Sequence, residues 1–86
     1  MKIDFSKIEI KDIEGNIQSV DISKELGNMM YYGEQDIAVA DLGHEIYHKK
    51  EVELTKETAQ KVKEYIEQGF KAIVKRTLMP MLDSIK

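Results

Sequence analysis

The segment from Lys56 to Leu78 constrains this chain more than any other. Ala59, Val62, Ile66, Phe70, Ile73 and Thr77 recur at three- and four-residue spacing, which is one face of an amphipathic helix. Thr55 suits the N-cap, and Leu54 before it can staple against Ala59. Glu57–Lys61 and Glu67–Lys71 are i,i+4 ion pairs in the favourable order. A helix from residue 56 to at least 78 spans about 36 Å. A compact 86-residue domain has a radius of gyration of about 12 Å and a diameter of about 30 Å. The expected helix is therefore as long as the molecule is wide, or longer.

Beyond Phe70 the apolar face of this segment broadens. Ile73, Val74, Leu78, Met79, Met81, Leu82 and Ile85 cover more than one stripe. Pro80 lacks a backbone donor and clashes with the carbonyl of Arg76, so it kinks or ends the helix there. Such a tail either folds back onto the domain or packs against a second polypeptide. The second option predicts a self-association or partner surface built from Phe70, Ile73, Val74, Leu78, Met81 and Leu82.

Composition gives that surface a reason to exist. Residues 1–86 make a single domain with one core and no Cys, so no disulfide and no Cys-ligated zinc can reinforce it. Residues 1–43 carry 4 Lys against 9 Asp/Glu, and residues 44–86 carry 9 Lys/Arg against 7 Asp/Glu, giving a net charge of −3. That balance lacks the basic face of a nucleic-acid binder. The longest uncharged apolar stretches, Leu26–Gly33 and Thr77–Leu82, fall far short of the roughly 18–20 residues of a membrane span. Acidic residues stand near the N-terminus where a signal peptide has its apolar run, so an unprocessed cytoplasmic chain is expected.

The first third reads as a β-hairpin. Ile8, Ile10, Val20 and Ile22 alternate with polar residues around Glu14-Gly15-Asn16, which supplies turn chemistry. A loop at 14–16 predicts the pairs Ile13–Ile17, Ile10–Val20 and Ile8–Ile22, with Glu9 opposite Asp21. Ile3 and Phe5 have the opposite parity, so a bend near Ser6-Lys7 is expected. Ser23 caps a short helix over 24–32 with a stripe of Leu26, Met29 and Met30. Asp36 caps a second over 37–49, with Val39, Leu42, Ile46 and the Tyr47 ring buried. Val52-Glu53-Leu54 is extended, either as a third strand beside the hairpin or as a lead into the next helix. No internal repeat is evident. The fold class is α+β: an N-terminal antiparallel hairpin, two short helices and a long C-terminal amphipathic helix.

One pentapeptide carries potential chemistry. His44-Glu45-Ile46-Tyr47-His48 resembles the zincin metalloprotease signature. On a helix the two imidazoles share a face and can bind one zinc ion. The resemblance implies His44 and His48 as ligands and Glu45 as general base toward a metal-bound water. A catalytic zinc needs a third protein ligand, and with only two His in the chain this must be a carboxylate, Glu64 or Glu67. Both flank the apolar stripe of the long helix, where solvation is the simpler fate. Lys49-Lys50 beside the second His opposes a dication, and Asp41 departs from the wider zincin pattern. A solvated polar face beside Val39, Leu42 and Ile46 is the plainer account of this pentapeptide.

Two other features have similar double readings. Met29-Met30-Tyr31-Tyr32 suits an adaptable binding surface, or equally a helix end with core Met and half-buried Tyr. Lys71, Lys75 and Arg76 could touch phosphates, but more simply form a solvated face.

The order of features resembles small uncharacterised proteins encoded in bacterial prophages and related mobile elements. The residues that carry this are Asp12-Ile13-Glu14-Gly15, Val20-Asp21-Ile22-Ser23, Leu26-Gly27-Asn28, Ile46-Tyr47, Val52-Glu53-Leu54-Thr55 and the C-terminal amphipathic segment. The resemblance implies a non-catalytic accessory or assembly role, in the cytoplasm or within a phage particle. The expected function is thus a non-enzymatic interaction module without a cofactor. It contacts itself or another protein through the C-terminal helix, with no nucleic-acid or membrane partner. The alternative is a zinc-binding protein or minimal zinc hydrolase using His44, Glu45 and His48.

Overall fold

A computed structural model describes residues 2–48 and 51–85. The element order is β1 (Lys2–Ile3), β2 (Ile8–Lys11), β3 (Ile17–Val20), α1 (Ser23–Gly33), α2 (Ile37–His48), β4 (Val52–Glu53), α3 (Lys56–Gly69) and α4 (Ala72–Asp83). This is an α+β fold, with the strands of the hairpin at the N-terminal end and helices thereafter.

The hairpin forms in a different register from the expected one. Ile8 pairs with Val20, Ile10 with Gln18 and Lys11 with Ile17. The turn is centred one residue earlier because Asp12 organises it. The Asp12 carboxylate accepts from the backbone N–H groups of Glu14 at 3.0 Å and Asn16 at 2.9 Å. Gly15 takes the left-handed conformation, φ 87°, that closes the loop. The two-residue shift keeps the parity, so Ile8 and Ile10 remain buried. It removes the Glu9–Asp21 opposition, since Glu9 now faces Ser19. It also leaves Ile13 and Ile17 in solvent at the hairpin tip. The bend at Ser6-Lys7 is present: the Asp4 carboxylate accepts from the Ser6 N–H at 2.9 Å, and Ile3 and Phe5 join Ile8 and Ile10 in the core.

Residues 52–53 do form a strand, but not beside the hairpin. β4 pairs antiparallel with β1, Ile3 opposite Val52, as a separate two-stranded sheet.

The long C-terminal helix is replaced by two helices. α3 ends at Gly69, a poor helix former, and Phe70 and Lys71 are extended, with ψ of 155° and 159°. The chain reverses there, and α4 packs against α3 and β2. α3 starts as expected: Thr55 and Thr58 form a reciprocal capping box, and Ala59, Val62 and Ile66 are buried. Its 14 residues make about 21 Å, which fits a molecule with a radius of gyration of 12.3 Å. Pro80 does not end α4, which continues to Asp83. An ion pair from Lys63 to Asp83 ties its end to α3.

This fold-back settles where the broad apolar face goes. Leu78, Leu82 and Ile85 are buried in the chain's own core with Phe5, Leu26, Met30, Leu54 and Ile66. Phe70, Val74 and Met81 are partly buried against the same cluster. Of the six residues expected to form an interface, Ile73 alone is an exposed one, at 40%. A chain this short needs those side chains to close one core, and the break at Phe70-Lys71 lets it reach them.

Candidate functional site

The exposed rings of the molecule gather on the helical hairpin α1–α2. An acidic side chain stands at the start of each helix. Ser23, expected to cap α1, is instead its first residue: Ile22 holds the N-cap position without a side-chain cap bond, and the Asp21 carboxylate before it accepts from the Ser23 N–H at 2.9 Å and from the Ser23 hydroxyl at 2.6 Å. Those two bonds, the hydroxyl first, hold the Asp21 carboxyl below its usual pKa. Asp36 caps α2 as expected, accepting from the Ala38 N–H at 2.9 Å. Residues 34–36 connect the helices, a loop short enough to force antiparallel neighbours.

Burial along the two helices follows one pattern. α1 buries Ser23, Leu26, Gly27 and Met30, and α2 buries Val39, Leu42, Gly43 and Ile46. The two sets coincide after a shift of sixteen residues, which also superposes Glu25 on Asp41, Asn28 on His44, Tyr31 on Tyr47 and Tyr32 on His48. The sequence thus contains a short internal repeat after all, carried by Leu-Gly and a Tyr four residues beyond the Gly. Its faintness explains why periodicity alone passes over it: three identities in about ten residues are meaningful only when the helices are seen to pack on each other.

The packing is reciprocal. A Cβ on Gly27 would stand 2.7 Å from the Gly43 carbonyl oxygen and 2.8 Å from the Tyr47 Cβ. A Cβ on Gly43 would stand 3.0 Å from the Gly27 carbonyl oxygen and 2.9 Å from the Tyr31 backbone nitrogen. Two glycines bring the backbones together, and the residue four positions on from each is pressed against the other helix.

That approach sets the rings. Tyr31, Tyr32, His44, Tyr47 and His48, with Gly27 and Asn28, line a shallow depression of about 230 Å³. Successive centroids lie 5.2 Å apart for Tyr32–Tyr31, 5.9 Å for Tyr31–His44, 4.6 Å for His44–His48 and 4.8 Å for His48–Tyr47. The five rings form one continuous edge-and-tilt chain. Tyr31 is 47% exposed and Tyr32 81%. Tyr47, expected to bury its ring with Val39, Leu42 and Ile46, lies instead on the exposed side. Of Met29-Met30-Tyr31-Tyr32, Met30 belongs to the core while both Tyr face solvent.

The carboxylates proposed to complete a zinc site are elsewhere. Glu67 reaches Lys75 at 3.6 Å, across the α3–α4 break that removes Lys71 from its helix. Glu64 stands near Lys61 at 4.0 Å and lines a separate groove with Tyr65, Glu34 and Met29. Among the described residues, no three His, Asp or Glu side chains gather where they could hold a metal ion. In that second groove the Tyr65 hydroxyl donates to Glu34 at 2.9 Å. Burial, then this bond, raises the Tyr65 pKa; the Asp36 N–H, then Tyr65, lowers that of Glu34.

The fold and the site together define a small α+β domain that presents a ring-lined helical hairpin. Comparison with protein-family models, with curated proteins and with solved structures finds no match. No helix among the described residues is long and apolar enough to cross a membrane.

Proposed function

We propose that this chain is a non-catalytic interaction module that binds another polypeptide through the ring-lined face of α1 and α2. The observation that carries this reading is the chain of five exposed rings held on a glycine-packed hairpin. Tyr is enriched in the contact residues of protein interfaces, and rigid rings lose little conformational freedom on binding. The depression holds only about 230 Å³, below the roughly 300–1,000 Å³ of a small-ligand pocket, which suits a polypeptide side chain better than an enclosed substrate. The hydrolase alternative requires a third ligand beside His44 and His48, and Glu64 and Glu67 are engaged elsewhere. The resemblance to prophage-encoded proteins supports an accessory or assembly role, in the cytoplasm or in a phage particle.

The C-terminal helix contributes a second, smaller contact in this reading. Ile73 on α4 shares a groove with Ile13 at the hairpin tip, flanked by Lys11 and Arg76, and Ile17 is exposed nearby in sequence.

Co-purification with the products of the genes flanking its own tests the proposal. The chain is expected to retain a partner that the Tyr31→Ser/Tyr32→Ser double variant loses, with the far-UV circular dichroism of the two unchanged. A chain that stays monomeric and retains none of those products, or a partner held equally by the double variant, overturns it.

A further inference from the structure

His44 and His48 are exposed and lie one helical turn apart. Their centroids are 4.6 Å apart on one face of α2. With Zn–N bonds of about 2.0–2.1 Å, two imidazoles on one tetrahedral ion hold their centroids about 5 Å apart. The centroid separation of the pair is within about 0.5 Å of that value. His48 is the last described residue of α2, one short of the expected 37–49; Lys49 and Lys50, whose charges oppose a dication, lie outside the described residues. Beneath the pair, Gly27 and Gly43 let the two helix backbones approach closely, since a Cβ on Gly43 would stand 3.0 Å from the Gly27 carbonyl oxygen.

A structural zinc site takes four ligands, and among the described residues no third His, Asp or Glu joins the pair. A pair of ligands on an exposed face is half of a tetrahedral site. A second copy brings an identical pair across a two-fold axis, and a two-fold contact needs only that the face be complementary to itself. Tyr31, Tyr32 and Tyr47 beside the pair then cover the ion from water on both sides. The dication also offsets repulsion between two chains of net charge −3 each. Imidazole donors select zinc, nickel or copper ions over magnesium or calcium.

We propose that His44 and His48 form half of a transition-metal site that closes when two copies of this chain face each other across one zinc-type ion. The inference rests on the reading of the α1–α2 face as a contact surface, and names its partner as a second copy.

Light scattering after size exclusion, with metal analysis of the peak, tests it. In EDTA the chain is expected at its 9.9 kDa monomer mass. Half an equivalent of zinc chloride is expected to double that mass with one ion per two chains, and magnesium chloride to leave it unchanged. His44→Ala and His48→Ala each remove the doubling and weaken zinc binding at least about tenfold, the smallest loss typical even of residues behind the ligands. Both side chains are exposed, so the far-UV circular dichroism is expected to stay as in the wild type. Glu64→Gln and Glu67→Gln behave as wild type. One ion per chain without a mass change overturns the inference, as does zinc binding that survives both His substitutions or is lost in either Glu variant. The two readings fail separately. Zinc without effect, alongside a partner lost on Tyr31→Ser/Tyr32→Ser, removes the metal site and keeps the contact surface. A zinc-dependent doubling that Tyr32→Ser leaves unchanged keeps the metal site and removes that tyrosine from the contact.

Discussion

The molecule contains two helix pairs, and they solve opposite problems. α1 and α2 pack by removing side chains: Gly27 and Gly43 meet backbone to backbone, and the large residues beside them, Tyr31 and Tyr47, are displaced outward. α3 and α4 pack by adding side chains: Val62, Ile66, Leu78 and Leu82 fill the space between the helices and the strands. Each pair gives five hydrophobic side chains to the core, Leu26, Met30, Val39, Leu42 and Ile46 from the first and Ala59, Val62, Ile66, Leu78 and Leu82 from the second, but the first also holds its Tyr and His rings in solvent. Apolar content along a sequence is thus a poor guide to which face stays exposed. What counts is which apolar residues the chain needs for itself.

Five substitutions sharpen or break that contrast. Leu78→Ala empties a fully buried site in the α3–α4 layer, and is expected to destabilise by about 2–5 kcal/mol in denaturant melts. Ile73→Ala on the same helix is expected to cost far less, because Ile73 is already partly in solvent. A large loss from Ile73→Ala would mean that the tail is buried by something other than this chain. Gly27→Ala comes next. Helix propensity alone favours it by about 1 kcal/mol. The 2.7 Å clash with the Gly43 carbonyl oxygen costs about 1–3 kcal/mol, for a net loss of up to about 2 kcal/mol. Gly33→Ala is the control, since its Cβ would meet only the Tyr65 ring at 3.5 Å, and its melting temperature is expected to hold or rise. Thr55→Ala removes the capping box of α3 at a cost of about 0.5–2 kcal/mol.

Titration gives the smallest effect. The Asp21 and Glu34 carboxyls sit below their unfolded pKa values, so their contribution is complete above the ordinary carboxylate range. It is lost as pH falls through the lowered folded values, below about pH 4. Tyr65 has the opposite sign. Its pKa is raised, so its contribution is complete below about pH 10 and fades above that as the hydroxyl ionises and stops donating to Glu34. Tyr65→Phe is expected to flatten the alkaline limb of a melting-temperature profile and leave the acid limb governed by Asp21. An unchanged alkaline limb would detach the second groove from the stability of the α1–α3 contact.

Much of the local structure was legible in the residues. The α+β class, the caps at Asp36 and Thr55, the bend at Ser6-Lys7 and the buried stripes of α2 and α3 all follow from spacing and side-chain chemistry. The hairpin register did not, because Asp12 makes bonds two and four residues ahead that apolar pairing ignores. The candidate site was half legible. The His pair was visible as a motif, and Tyr31 and Tyr32 as an adaptable stretch. Their joining into one face was not, since it depends on a repeat too short to announce itself.

The sequence by itself determined which residues are apolar, at what period, and how α2 and α3 begin. Only the tertiary structure decided two things. It broke the C-terminal helix at Phe70-Lys71, because one small core needs both halves of that apolar stripe on the same side. It also turned two glycines into a contact that places five rings in solvent. Both are matters of reach between residues far apart in the chain, and periodicity along one helix carries no record of what the other helix will leave room for.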